Sequence, residues 1–318
     1  MADELRIREV LLNIISNAVK FTKDGGTISF VAENCPGKDE HHLIVRYHIS
    51  DTGIGMSEEF QTRIFDEFSQ ENNGARTSYK GTGLGMAINA LTQPGDKIMI
   101  MPPVYPPFFW LVTRNNRRLV ECPLRLEDGH YRMDLDLFRR SIKGIRALIL
   151  CNPHNPGGIV WTREELEAIA EVCADDNVIV LSDEIHADLT LPPRQHLPFP
   201  MVSEKARNNS VTFMSPSKAF NMPGVSASHT VIFNEGLRAR FEAYLESCEL
   251  NGGHVFAFPA VEAAYSNGTE WLEQLLSYIQ GNIDYVTDYI HTHMPKIKVI
   301  VPMASYLVWL DCRDLKLS

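Results

Sequence analysis

The sequence predicts an α/β protein made of two unequal parts. After about residue 88, short apolar runs at residues 97–101, 146–151, 178–182 and 210–214 alternate with helical patterns, as in a largely parallel sheet. Before that point, one helical pattern is followed by two strand-like segments and a polar, glycine-rich stretch. The 318 residues are enough for about two domains. We therefore predict one domain over residues 1–88 and a second over residues 89–318.

The elements of the first part follow from periodicity and from turn residues. Residues 4–22 have apolar side chains at helical spacing, and Asp24-Gly25-Gly26 ends that helix. Residues 27–33 and 43–50 have strand patterns joined by a polar loop, and residues 57–68 again look helical. In the second part, residues 162–175 predict a helix with Thr162 as its N-cap and Glu165 three positions later.

The charge and the apolar content of the chain limit the kinds of binding partner that we expect. The formal net charge of −10 argues against a nucleic-acid partner and against a polybasic membrane patch. No apolar run reaches about 18 residues, so we expect no membrane span. The N-terminus lacks the layout of a signal peptide, and the six cysteines form no CxxC pair. These features predict a cytoplasmic protein with reduced thiols.

Three polar residues share one face of the first predicted helix. Asn13, Asn17 and Lys20 are spaced i, i+4 and i+7. Carboxamides and an ammonium on one stripe suit phosphate oxygens and Mg²⁺, with Asn13 as the candidate metal ligand. Solvated polar residues of a surface helix would give the same pattern.

Two glycine motifs follow this helix. Asp51 stands at a predicted strand end and could accept a hydrogen bond from an exocyclic amine, while the next glycines allow a ring to approach the backbone. A later motif opens a helix, where free N–H groups attract phosphate. A flexible turn would also explain that later motif. The glycines concerned are Gly53, Gly55, Gly81, Gly83 and Gly85.

Together with the segment Phe65-Asp-Glu-Phe68, these motifs stand in the order of the N, G1, F and G2 boxes. Residues 3–88 closely resemble the ATPase domain of sensor histidine kinases. The resemblance implies a partial α/β sandwich with a site for ATP and Mg²⁺. The closing strands and the phosphoacceptor helix of that family do not appear, so we expect a remnant of an ATP site without a kinase reaction.

The second part carries residues suited to a covalent cofactor site. Lys218 is flanked by Ser215 and Ser217, and Asp183 follows a predicted strand whose carboxyl edge is the usual ligand edge of an α/β sheet. An isolated lysine is normally a surface residue, and a strand-end aspartate is often a cap. Desolvation and nearby cations can make a lysine a usable nucleophile and base.

Three further candidates come from loop motifs. Asn155 lies in Asn-Pro-His-Asn-Pro-Gly-Gly, Tyr105 follows a proline pair, and His186 lies three residues after Asp183. A plain turn, simple packing and a satisfied buried histidine are the respective alternatives.

Residues 89–318 resemble the pyridoxal-phosphate (PLP) family of class I and II aminotransferases, in the branch that contains cystathionine β-lyases and cysteine-conjugate β-lyases. The resemblance implies a fold type I large domain, truncated, with part of the small domain. It implies that Lys218 bonds to PLP and later removes the substrate α-proton, and that Asp183 pairs with the ring nitrogen. The remaining cofactor contacts that it implies come from Tyr105, Asn155, His186, Ser215 and Ser217.

The resemblance implies a PLP-dependent carbon–sulfur β-lyase that releases thiol, ammonia and pyruvate from a small sulfur amino acid, working as a homodimer. Val225 and Ser226 follow Gly224 where the family's aminotransferases often have an arginine, which favours a lyase. An aminotransferase, an ATP-binding kinase fragment and an inactive fusion product remain as alternatives. We expect impaired substrate binding, because Arg313 does not match the family's carboxylate-binding motif and other segments do not appear.

The junction between the two parts leads to one more hypothesis. The glycine motif that ends at Gly85 runs directly into a helix predicted from Met86, and in the β-lyase family a glycine turn before this helix holds the PLP phosphate. We expect either that this loop now faces the PLP site or that it is a chance joint between two similar helices.

Overall fold

The computed structural model describes residues 11, 14–15, 18, 22–23, 25–35, 44–53, 55, 83–225, 227–250 and 256–316. The chain forms two compact units, residues 1–79 and 80–318. The predicted boundary after residue 88 stays a prediction. No helix in the described ranges is long and apolar enough to cross a membrane.

In the first unit, strands β1 (Ile28–Cys35) and β2 (Ile44–Asp51) form an antiparallel pair, with Ile28 opposite Asp51. The two predicted strands are therefore confirmed, with β1 ending two residues later than expected. Residues 11, 14, 15 and 18 are helical, in agreement with the predicted helix over residues 4–22. The rest of that helix and the predicted helix over residues 57–68 lie outside the described residues.

The second unit is built on a six-stranded sheet with the order β10-β9-β8-β7-β3-β4. Neighbouring strands are parallel except β10, which runs antiparallel to β9. The four predicted strands are confirmed to within one residue at each end. The strands of this unit are β3 (Lys97–Ile100), β4 (Arg118–Glu121), β5 (Arg125–Glu127), β6 (His130–Arg132), β7 (Ala147–Cys151), β8 (Ile179–Asp183), β9 (Ser210–Met214), β10 (His229–Val231), β11 (Lys298–Ile300) and β12 (Trp309–Asp311).

Helices cover both faces of this sheet. In chain order they are α1 (Gly83–Leu91), α2 (Pro107–Arg114), α3 (Leu135–Ser141), α4 (Arg163–Asp175), α5 (Glu204–Asn208), α6 (Glu235–Ser247), α7 (Ala257–Asn267) and α8 (Thr269–His293). Helix α4 begins with the predicted capping box, in which Thr162 and Glu165 each accept the other's backbone N–H.

Helix α1 begins at Gly83, three residues earlier than the start predicted at Met86. Glycine is a weak helix former, so the sequence favours a loop there. Gly83 and Leu84 are buried, and a Cβ built on Gly83 would lie 2.8 Å from the Phe213 ring. Tight packing against β9 therefore compensates for the low helix propensity of the glycines.

One apolar layer covers each face of the sheet. One layer joins α1 and α2 to Ile179, Leu181 and Phe213, and the other joins α3 and α4 to Val180 and Phe199. Because side chains alternate along a strand, Asp183 continues the α1 face of β8, and Ser182 lies on the α4 face.

Candidate active site

The candidate site lies at the carboxyl edge of four neighbouring parallel strands. Strand β3 has β4, the next strand along the chain, on one side and β7 on its other side. The direction in which strands are added to the sheet therefore reverses between β3 and β7. Such a switch point is where open α/β sheets bind ligands. The loops after β3, β7 and β9 carry Tyr105, Asn155 and the segment 215–218, and β8 ends at Asp183.

Asp183 is a buried carboxylate at the centre of this edge, with 4% of its surface exposed. Its Oδ1 accepts a hydrogen bond from the backbone N–H of Ile185 at 3.3 Å. Burial raises the pKa of Asp183 to about 6, and the nearby positive charge of Lys218 opposes that rise. An ionised Asp183 would therefore be stabilised by a cationic or N–H donor group placed beside it.

Lys218 lies close enough to act electrostatically on both Asp183 and His186. Burial, together with the smaller effect of the positive charge of Lys218, lowers the pKa of His186 to about 4. The backbone next to Lys218 is held from outside the loop, because Trp271 Nε1 donates to the carbonyl of Ala219 at 3.1 Å. The lysine is thus half-buried on a supported loop that faces a carboxylate.

His186 and Asn155 meet across the loops after β8 and β7. Asn155 Nδ2 lies 3.5 Å from His186 Nε2, and the His186 ring is edge-on to Tyr306 at 5.9 Å between centroids. The Nδ1 atom of His186 is buried and has no hydrogen-bond partner among the described residues. A neutral imidazole with one unused nitrogen can serve a bound ligand.

Ser215 and Ser217 form a pair of hydroxyl groups directly after β9. Their Oγ atoms lie 2.9 Å apart, Ser217 N–H donates to Ser215 Oγ at 3.2 Å, and Ser215 Oγ donates to the carbonyl of Ala227 at 2.6 Å. The start of α1 lies against Phe213, two residues before Ser215, and next to Thr230. Helix α1 also packs on the sheet that carries Asp183, as the junction hypothesis requires.

Tyr105 is 38% exposed and contacts Phe108 edge-on, with ring centroids 5.6 Å apart. The structure brings Asp183, Lys218, His186 and Asn155 into one neighbourhood. Tyr105 follows the adjacent strand β3, on the same edge of the sheet.

Of the predicted nucleotide-binding residues, Asp51 ends β2, and its Oδ1 accepts the N–H of Gly53 at 2.8 Å. Gly55 has φ +70°, a conformation that favours glycine. Gly85 lies within α1 together with Gly83. The predicted positions Asn13, Asn17, Lys20 and Gly81 lie outside the described residues, so the ATP and Mg²⁺ assignment stays a prediction.

The buried pair of Glu184 and His196 beside Asp183 was not predicted from the sequence. Glu184 Oε2 lies 2.7 Å from His196 Nε2, and the exposed fraction of the Glu184 side chain is 0%. A second carboxylate directly after Asp183, at the end of an apolar strand, was the available signal. Its partner lies in an irregular segment with no periodic pattern.

Comparison with known families gives two matches to this chain. The model of the aminotransferase class I and II family matches residues 54–318. The model of the histidine kinase-, DNA gyrase B- and HSP90-like ATPase family matches residues 2–94. The two predicted resemblances are thereby confirmed, and the matched ranges overlap.

Individual relatives and a solved structure agree with the first match. The chain is 43% identical to the cystathionine beta-lyase PatB of Bacillus subtilis, over 72% of this chain and 60% of that protein. It is 31% identical to the protein MalY of Escherichia coli, over 73% of this chain and 59% of that protein. The crystal structure of cystalysin from Treponema denticola, which contains pyridoxal 5′-phosphate, superposes with a TM-score of 0.72 at 33% identity, covering 74% of this chain and 60% of that chain. The chain therefore spans about three fifths of the length of these relatives.

Proposed function

Because the chain belongs to the aminotransferase class I and II family, we propose that it holds PLP at the carboxyl edge of β3, β7, β8 and β9 and cleaves carbon–sulfur bonds in amino acids. The observation that carries this proposal is the buried Asp183 carboxylate in the field of Lys218, on an edge that also presents the pair Ser215 and Ser217.

The side chains fit the chemical groups of PLP. Asp183 would face the protonated ring nitrogen, since a buried carboxylate with one backbone hydrogen bond favours a cationic partner. The hydroxyls of Ser215 and Ser217, together with the backbone N–H groups at the start of α1, would hold the phosphate. Asn155, with His186 beside it, would donate to the ring oxygen, and Tyr105 would stack on the ring.

When bound, PLP supplies an attachment point for the substrate amine and an electron sink for charge that develops at Cα. Asp183 keeps its negative charge on the α1 face and so favours a protonated ring. Lys218 Nζ would take the α-proton of the substrate, because a lysine amine that is half-buried at the same sheet edge can serve as a general base. The sulfur would leave Cβ and take up a proton to give the thiol, and water would hydrolyse the remaining unsaturated amine to ammonia and pyruvate.

Similarity to a cystathionine beta-lyase at 43% identity supports a lyase with a small sulfur amino acid as substrate. The specific alternative is an aminotransferase, which the description of the family model favours. The two activities differ in their need for a second substrate, because an aminotransferase turns over only with a keto-acid acceptor.

The experiment uses the full chain incubated with PLP. We expect a visible absorbance band from the lysine-linked cofactor, and borohydride treatment followed by peptide mapping should locate the link at Lys218. Cystathionine should then yield pyruvate without an added keto acid. Equal trapping in Lys218→Ala protein would refute the assignment, and turnover only with a keto acid would replace the lyase by an aminotransferase.

The proposal extends to assembly and location. The family resemblance supports a homodimer. The six free cysteines suit a reducing compartment and support a location in the cytoplasm. Light scattering at micromolar concentration tests the dimer. For residues 1–88 we propose an ATP-site remnant, with Asp51 as the candidate base-binding carboxylate.

A further inference from the structure

A second buried carboxylate lies at the back of the sheet edge that carries Asp183. Glu184 is fully buried there, and its carboxylate accepts three hydrogen bonds. Oε1 accepts from Ser182 Oγ at 2.8 Å and from the backbone N–H of Phe199 at 2.9 Å, and Oε2 lies 2.7 Å from His196 Nε2. A buried carboxylate that is satisfied this fully holds its partners in one arrangement.

These partners come from two different parts of the chain. Ser182 belongs to β8, whereas His196 and Phe199 belong to the irregular segment that follows it. The carboxylate therefore ties residues 196–199 to the end of β8. That bond is made on the α4 face of the sheet, opposite the face to which Asp183 belongs.

The same segment also supports the neighbouring site loop. Asn152, in the loop that carries Asn155, donates through Nδ2 to the carbonyl of Leu197 at 3.2 Å. The backbone N–H of Asn152 donates to the carbonyl of Asp183 at 2.9 Å. Residues 196–199 thus contact the ends of both β7 and β8, from which Asn155 and Asp183 reach the site.

We propose that Glu184 and His196 are positioning residues for Asp183, acting from the opposite face of the sheet. Their bond fixes the backbone turn after β8, and that turn supplies the Ile185 N–H that orients the Asp183 carboxylate. The effect on cofactor binding rests on the proposed function. The effect on the turn itself does not.

The test compares three variants of the full chain. His196→Phe keeps the ring volume and removes the donor, whereas His196→Gln keeps an N–H near the position of Nε2. Ser210→Ala is the matched control, because Ser210 Oγ loses a buried hydrogen bond of 2.6 Å to the Ala206 carbonyl at the opposite end of the sheet. The two readouts are the PLP dissociation constant and the hydrogen-exchange rate of the Ile185 amide in cofactor-free protein.

We expect His196→Phe to weaken PLP binding at least tenfold and to speed Ile185 exchange by a similar factor. Ser210→Ala should change both by less than twofold, and His196→Gln should recover most of the loss. Equal behaviour of His196→Phe and Ser210→Ala would overturn the proposal, as would a His196→Gln variant that recovers nothing.

Failure of the proposed function and failure of the positioning role give different results in this test. Wild-type protein that takes up no PLP would refute the proposed function, and the Ile185 exchange rates would still decide the positioning role. If His196→Phe does not fold, Ser182→Ala is used in its place, because it removes one hydrogen-bond donor to Glu184. That milder variant should speed Ile185 exchange severalfold, and exchange at the wild-type rate would overturn the proposal.

Discussion

Replacement of Asp183 by asparagine should stabilise the cofactor-free protein and should remove most of the proposed lyase activity of the PLP-loaded protein. Burial raises the pKa of Asp183 from 3.8 to about 6, so the folded state holds the proton more tightly than the unfolded state does. That contribution to stability is complete below about pH 4 and is lost as the pH rises to about 6. Above pH 6, the folded protein carries an ionised carboxylate whose burial is unfavourable.

The size of the effect follows from the same pKa. One pKa unit corresponds to about 1.4 kcal/mol, so a rise from 3.8 to about 6 corresponds to ~3 kcal/mol of lost stability at neutral pH. Asparagine keeps an oxygen that can accept the Ile185 N–H and carries no charge. We expect the melting temperature of cofactor-free Asp183→Asn protein to lie roughly 5–10 °C above that of wild type at pH 8 and to equal it at pH 4.

The assay is thermal unfolding of both proteins, without PLP, from pH 4 to pH 8. In parallel, pyruvate release from cystathionine should fall by roughly 10²–10⁴-fold in the variant, because a buried ionic partner is lost. A variant that melts below wild type at pH 8 would refute the reasoning and assign a structural role to Asp183.

Further expectations follow from contacts around the site. Gly83→Ala should weaken PLP binding severalfold, because the new Cβ would lie 2.8 Å from the Phe213 ring. Gly85→Ala is the control and should change the affinity less, because its Cβ would lie 3.1 Å from a Leu111 methyl group. Equal effects of the two variants in a PLP titration would count against a phosphate site at the start of α1. Trp271→Phe removes the donor to the Ala219 carbonyl and should raise the PLP dissociation constant about two- to tenfold; an unchanged constant would show that this bond does not support the Lys218 loop. Incubation with labelled ATP should leave no acid-labile label on the protein, since the histidine-kinase resemblance covers only the ATP-site boxes; a labelled histidine would contradict the assignment of a remnant.

Much of the sheet could be predicted because its signals are local. The strand from Ala147 to Cys151 is a short apolar run, and Thr162 with Glu165 defines a helix start by spacing alone. Parallel strands that end at a common edge then place the loop residues near one another without further information.

The parts that could not be predicted depend on tertiary contacts. Gly83 is helical because Phe213 packs against it, and these residues lie 130 positions apart. The pairing of Glu184 with His196 joins a strand end to an irregular segment that has no periodicity. The family motifs predict Lys218 and Asp183 as site residues, but they give no indication of what holds either residue in place.

The proposed site is distributed over four strands, so the cofactor would stabilise the folded chain specifically. Tyr105, Asn155, Asp183 and Lys218 could act on one cofactor only when β3, β7, β8 and β9 lie side by side, so a partly assembled sheet would offer no common binding surface. PLP would then bind the finished sheet alone and would add about 1.4 kcal/mol to its stability for each tenfold excess over the dissociation constant. Recovery of folded chain from expressing cells should therefore increase with the supply of PLP during synthesis.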